Sequence, residues 1–127
     1  MKPSILIVGA KGDIAKEIAR VYAKNGYNLI LSGRRIFEIE AFSEELKSFN
    51  ITVELKELDI TKFDTFTKFI STLKMLPMGI IIGTGYNPAT SESSINQNKF
   101  IEVMDVNYKG PILFINEIKK ILKIGFI

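Results

Sequence analysis

Short apolar segments that alternate with stretches of helical periodicity leave this chain very few architectures. Residues 4–8 carry a continuous apolar run ended by Gly9, the pattern of a strand buried on both faces. Residues 28–32 repeat it, and residues 79–83 do so again through Ile80, Ile81 and Ile82. Residues 52–58 alternate Val53, Leu55 and Leu58 with charge and read as the third strand in chain order. Between the strands, residues 13–25 place Ile14, Ile18, Val21 and Tyr22 at helical spacing, with Ala15, Ala19 and Ala23 among them, and Asn25-Gly26 closes that helix. Residues 37–49 put Ile39, Phe42, Leu46 and Phe49 on one face and leave Glu38, Glu44, Glu45 and Lys47 to water. Residues 64–76 turn Phe66, Phe69, Ile70 and Leu73 inward until Pro77 stops the helix. Residues 86–97 are polar and read as a loop. Residues 99–123 read as a long fourth helix, strained around Gly110-Pro111. The phenylalanines Phe37, Phe42, Phe49, Phe66 and Phe69 lie at core spacing.

Strand and helix thus alternate four times, which implies parallel βαβ units and a doubly wound α/β sheet. The 127 residues are one domain's worth, long enough to bury roughly two-thirds of the unfolded surface. The chain has no cysteine and no histidine, which excludes disulfides, thiolate nucleophiles, Cys/His zinc sites and His general bases. Glu44-Glu45, Glu54 and Glu57 have no spacing that suggests a carboxylate dyad or a metal cage, so no metal is expected. Seventeen Lys and Arg against 14 Asp and Glu give a net charge of +3 without a dense basic block, which argues against nucleic acid as a partner. Lys119, Lys120 and Lys123 fit a solvated face near a helix end. The first apolar run is too short for a signal sequence or a membrane span, and a cytoplasmic location is the default.

The first strand-to-helix turn runs Gly9-Ala10-Lys11-Gly12-Asp13-Ile14-Ala15. Gly9 lets the chain turn off the strand, Gly12 removes a side chain where a phosphate would approach, and the opening amides of the helix form an anion site. The second strand ends Ser32-Gly33-Arg34-Arg35. A dinucleotide fold that takes NAD usually places an acid there, and this chain has Gly33 followed by two guanidinium groups suited to a 2′-phosphate, which favours NADP over NAD. The residues alone leave open a plain βα turn without ligand, and arginines that only decorate a loop.

These elements together resemble the short-chain dehydrogenase/reductase family across essentially the whole chain. The turn from Val8 to Ala15 is similar to the family's TGxxxGxG element in its GATSDIA-like variant, with Val8 for the usual Thr and Asp13 and Ala15 for two glycines. Asp13 suits the helix N-terminus and is expected to point away from a pyrophosphate. Lys11 lies one residue before the position where the family often carries a second NADP-selecting base. By the same resemblance Asp59 contacts the adenine amino group and Ile60 packs beside the ring. Ile82-Gly83-Thr84-Gly85 takes the place of the family's Asn-Asn-Ala-Gly stretch, and Asn107 in Val106-Asn107-Tyr108-Lys109-Gly110 supports a proton relay. The resemblance implies a Rossmann-like sheet of order 3-2-1-4 and one NAD(P)-binding domain over residues 1–127. It also implies hydride transfer between NADP(H) and a carbonyl or alcohol, with a hint of sugar-type substrates.

The family's catalytic Ser and Tyr-x-x-x-Lys follow a fifth strand. The tyrosines here are Tyr22, Tyr27, Tyr86 and Tyr108, and none has Lys four residues on. The chain is therefore expected to be truncated before the fifth strand, with residues 123–127 as the approach to it, and to be either a fragment or a shortened relative. A non-catalytic nucleotide-binding or interaction module derived from the family is the alternative. With no fifth strand the fourth would be a bare apolar edge, so association with a second copy through that edge and the fourth helix is expected.

Overall fold

The computed structural model describes residues 2–86 and 96–122. Among the described residues the strands are β1 (Ser4–Val8), β2 (Asn28–Gly33), β3 (Val53–Glu57) and β4 (Gly79–Ile82). They form one parallel sheet of order β3-β2-β1-β4. Val8 lies level with both Ser32 and Ile82, and Gly33 with Glu57, so the carboxyl ends of the strands share one rim. Strand order reverses beside β1, the place where open α/β sheets leave a crevice for ligands. The topology is Rossmann-like. The described residues gather into two compact units, residues 2–59 with 73–83, and residues 60–72 with 84–86 and 96–122. The sheet belongs wholly to the first.

In that first unit, helix α1 (Asp13–Lys24) buries Ala15, Ala19 and Ala23. Small side chains let the helix axis approach the sheet closely. The larger apolar residues at helical spacing are not the buried ones: Ile14 is 78% exposed and Val21 58%. With Ile18, Tyr22 and Ile81 they line an open trough of about 720 Å³. Gly26, at φ 84°, ends the helix in the left-handed conformation, and Tyr27 donates its amide back to Tyr22.

The second helical segment departs from its periodicity. A tight 3-10 turn over Ile36–Ile39 precedes helix α2 (Glu40–Lys47), and the core face is Ile36, Ile39, Phe42 and Leu46. Phe37 is 67% exposed and Phe49 lies at the surface under the Lys24 ammonium, so neither joins the core. The cause is local. Arg35 has a left-handed backbone (φ 48°), and the chain leaves it in a tight turn that carries Phe37 outward. Ile5, Ile7, Leu29 and Leu31 of the sheet pack against both helices, and Arg20 of α1 ties them at the surface through Glu45, 2.8 Å away.

In the second unit, helix α3 spans only Phe66–Ser71, well short of Pro77. The hydroxyls of Ser71 and Thr72 donate to carbonyls three residues back (both 2.7 Å), a local bond that competes with helix continuation. Phe66 and Phe69 pack edge-on to Phe114, with ring centroids 5.3 and 5.9 Å away. The expected long fourth helix is three pieces: α4 (Gln97–Met104), a π-helical turn (Asp105–Lys109) and α5 (Gly110–Ile118). Pro111 donates no amide, and the wider turn absorbs the break. Residues 87–95, most of the expected loop, lie outside the described residues. So do residues 123–127, with Lys123 and the anticipated approach to a fifth strand. Among the described residues no helix is long and apolar enough to cross a membrane, and no cluster of acidic side chains could hold a metal ion.

Gly110 has a packing reason. A Cβ built on it would lie 2.4 Å from the Ile60 carbonyl oxygen and 2.7 Å from that of Asp105, both backbone atoms. Gly110→Ala should therefore lower stability by about 1–3 kcal/mol despite alanine's better helix propensity. Urea unfolding measures it, and an unchanged midpoint would contradict this packing.

Candidate functional site

The β1–α1 turn is built by backbone bonds to the end of β2. The carbonyl oxygen of Ser32 accepts the amides of Gly9 (2.9 Å) and Ala10 (3.0 Å). The wholly buried Ser32 hydroxyl donates to the Ile7 carbonyl at 3.0 Å. Gly9 has φ 82°, a conformation that a side chain would strain. Helix α1 opens from Gly12, whose backbone is extended (φ −71°, ψ 153°), and no side chain caps it. The opening amides thus have no side-chain acceptor, and Asp13 is the acidic side chain in that first turn. A Cβ at Gly12 would meet nothing within 4 Å. That open space beside uncapped amides suits a phosphate. Asp13 and Ile14 line the trough along α1.

Gly33 brings the second loop against this turn, its ideal Cβ position 3.8 Å from the Ala10 nitrogen. Gly83 approaches from β4, where a Cβ would lie 3.2 Å from that of Ala15 and 3.4 Å from the Gly9 carbonyl oxygen. Asp59 is half-buried and follows Leu58, whose amide continues the ladder to the Gly33 carbonyl at 3.0 Å. The structure therefore gathers Gly9 to Gly12, Ser32 to Arg35, Asp59 and Gly83 at the carboxyl rim of the sheet.

Three cations stand on the two loops. Arg34 is exposed and has no ion pair among the described residues. Arg35 Nε lies 2.7 Å from Glu38 Oε1, and Lys11 Nζ lies 3.3 Å from the same oxygen. The Lys11 hydrogen bond is the largest influence on the Glu38 carboxyl; burial opposes it, and with the charges of Lys11 and Arg35 added the group is held below the ordinary carboxylate range. Glu57 accepts the amides of Arg35 (2.8 Å) and Ile36 (3.1 Å) and fixes the loop that carries the arginines.

Sequence reasoning missed both Glu38 and Glu57. The signal for Glu57 is the parallel register, which sets it level with Gly33. Glu38 had only its helical-face position, which read as solvated.

The second unit holds Ile60, Thr84, Gly85 and Asn107. Ile60 is buried, and the Thr84 hydroxyl lies 3.4 Å from the Val106 carbonyl. Asn107 uses both ends of its amide on one residue: its oxygen accepts the Tyr86 amide (2.7 Å) and its nitrogen donates to the Tyr86 carbonyl (2.8 Å). The π-helical turn presents Asn107 to this bond pair, which pins the chain just after Gly85. Tyr86 as its backbone partner was not foreseen.

A parallel sheet of this order, with a glycine turn at the carboxyl end of β1, defines a dinucleotide-binding class of fold. A family model described as short chain dehydrogenase matches residues 3–125. The chain belongs to the short-chain dehydrogenase/reductase family, a family of oxidoreductases that use NAD or NADP. It is 28% identical over 118 residues to a 3-oxoacyl-[acyl-carrier-protein] reductase of Rickettsia bellii, covering 92% of this chain and 47% of that protein. A short-chain dehydrogenase from Rhodopseudomonas palustris superposes with a TM-score of 0.82 at 18% identity, over 93% of this chain and 57% of the other. An alcohol dehydrogenase from Thermococcus sibiricus, solved with 5-hydroxy-NADP, does so with a TM-score of 0.76 at 25% identity, over 94% and 53%. The chain spans less than half the length of the curated relatives it matches.

The two turn glycines should separate in their effect on folding. Gly9→Ala should cost about 1–2 kcal/mol through its left-handed backbone, whereas Gly12→Ala should leave the melting temperature within a degree or two of the parent. Equal losses would mean that the turn has another geometry.

Proposed function

We propose that this chain carries the cofactor-binding part of an NADP-preferring short-chain dehydrogenase/reductase, with residues 1–127 as one NAD(P)-binding domain. The observation that carries the reading is the uncapped, sterically open α1 N-terminus beside a loop with two arginines and no acid at the end of β2. Gly9, Ala10, Lys11, Gly12, Asp13 and Ile14 would hold the pyrophosphate end. Ser32, Gly33, Arg34 and Arg35 would hold the adenosine ribose and its 2′-phosphate. Asp59 and Ile60 would serve the adenine, with Gly83, Thr84 and Gly85 following the cofactor from β4. When bound, NADP(H) supplies or accepts the hydride exchanged with a small carbonyl or alcohol, sugar-type compounds among the substrates to be tried.

Asn107 takes a supporting part by holding the Tyr86 backbone. A cytoplasmic location and a small-molecule substrate belong to the same reading. A non-catalytic nucleotide-binding or interaction module derived from the family is the second one. Turnover of NADPH with a carbonyl panel separates the two.

Equilibrium titration should give tighter binding of NADP than of NAD, and Arg34→Ala should remove most of that preference while changing NAD little. Tighter binding of NAD, or equal weakening of both cofactors by the substitution, would sink the proposal. Gly12→Ala, whose added Cβ meets nothing within 4 Å, should weaken both cofactors together.

The chain is also proposed to associate with a second copy. Among the described residues strand β4 is last in the sheet order, and Phe100, Ile101, Tyr108, Ile112 and Ile115 are exposed on α4, the π-helical turn and α5. Light scattering over a dilution series should show a dimer or larger species at high concentration. A monomer throughout would contradict it.

A further inference from the structure

We propose that Glu38 is a specificity-determining residue, an internal anion that competes with the cofactor's 2′-phosphate for Lys11 and Arg35. The inference deepens the proposed NADP reading and rests on it. One carboxylate oxygen of Glu38 lies 2.7 Å from Arg35 Nε and 3.3 Å from Lys11 Nζ, so a single negative charge occupies a cation from each of the two loops that flank the proposed site. Among the described residues Arg34 is the cation left over. A 2′-phosphate that arrives between these loops meets one unpaired guanidinium and two cations already engaged. It must draw Lys11 and Arg35 away from Glu38, or lie beside a like charge.

The opposite role, in which Glu38 holds the cations ready for the phosphate, fits the structure less well. Glu38 and Arg35 are exposed and Lys11 is only half-buried, and ion pairs of that kind hold geometry weakly. The loop does not need Glu38 for its shape. Glu57 already binds the amides of Arg35 and Ile36, and Ile36 and Ile39 anchor the 3-10 turn in the core. Loss of the Glu38 charge therefore frees two cations without loosening the segment that carries them. Arg34 supplies the selectivity and Glu38 restrains it.

The test uses the whole chain, with 2′,5′-ADP as the probe for the 2′-phosphate and 5′-AMP as the probe for the nucleotide without it. Glu38→Gln keeps the shape and removes the charge, and Glu38→Ala guards against a new hydrogen bond from the amide. Both variants should bind 2′,5′-ADP more tightly than the parent, by about tenfold at low salt and about threefold at physiological ionic strength, as repulsion of a dianion at about 6 Å implies. Their affinity for 5′-AMP should stay within about twofold, the scale of a screened long-range effect. Glu44→Gln makes the same change in net charge at a carboxylate paired with Lys47, and should alter neither probe.

Unchanged or weaker 2′,5′-ADP binding in both Glu38 variants overturns the proposal. So does a gain that Glu44→Gln reproduces. The parent's own ratio for the two probes reports separately on the NADP reading. A parent without preference for 2′,5′-ADP defeats that reading, and a preference that appears only in the Glu38 variants still assigns the restraint to Glu38.

Discussion

One carbonyl oxygen organises this site. Ser32 O, at the end of β2, accepts two consecutive amides, those of Gly9 and Ala10, and so joins the turn after β1 to the loop after β2. In a parallel sheet these loops leave neighbouring strands at the same rim, and without a cross-bond each could take many shapes. The bond pair removes that freedom. It requires the left-handed backbone at Gly9, and it directs the first turn of α1 back over the sheet end with its amides uncapped. The buried Ser32 hydroxyl, bonded to Ile7, closes the same junction from below. The distance from Gly12 to the arginines follows from a few backbone bonds and needs no flexible side chain to set it.

Electrostatics is then laid over this rigid frame. Backbone amides and a helix dipole supply positive potential on one side of the junction, and Lys11, Arg34 and Arg35 supply it on the other. Glu57 is spent on the loop's own amides, so its charge is largely satisfied internally. Glu38 faces the cations instead. Two glutamates one strand apart thus have different effects, decided by what each carboxylate oxygen touches.

The strands, their parallel pairing and the glycine turn were legible in the sequence because each depends on short-range patterns: continuous apolar runs for buried strands, Gly9 and Gly12 for the turn, and alternation for parallel pairing; the strand order came from the family resemblance. Helix extents were less legible. Residues 66–72 keep a helical pattern of phenylalanines, yet the Ser71 and Thr72 hydroxyls divert the backbone before Pro77 acts. On α1 the periodicity marked the helix but did not single out its buried face: the sheet takes the alanines at close range and leaves Ile14 and Val21 outside. Glu57 and the Asn107–Tyr86 pair were invisible for a different reason. They depend on register and on the π-helical turn, which join residues 21 and 22 positions apart.

The proposed phosphate-binding surface is formed at the Ser32 junction by the first turn of α1 and the arginine loop. Amide NMR of the labelled chain during titration with NADP tests it most directly. The largest shifts should fall on the amides of residues 10–14 and 33–35, and should saturate together with one dissociation constant. Shifts concentrated on α5 or on residues 17–22 along the α1 trough, with residues 10–14 unmoved, would contradict it.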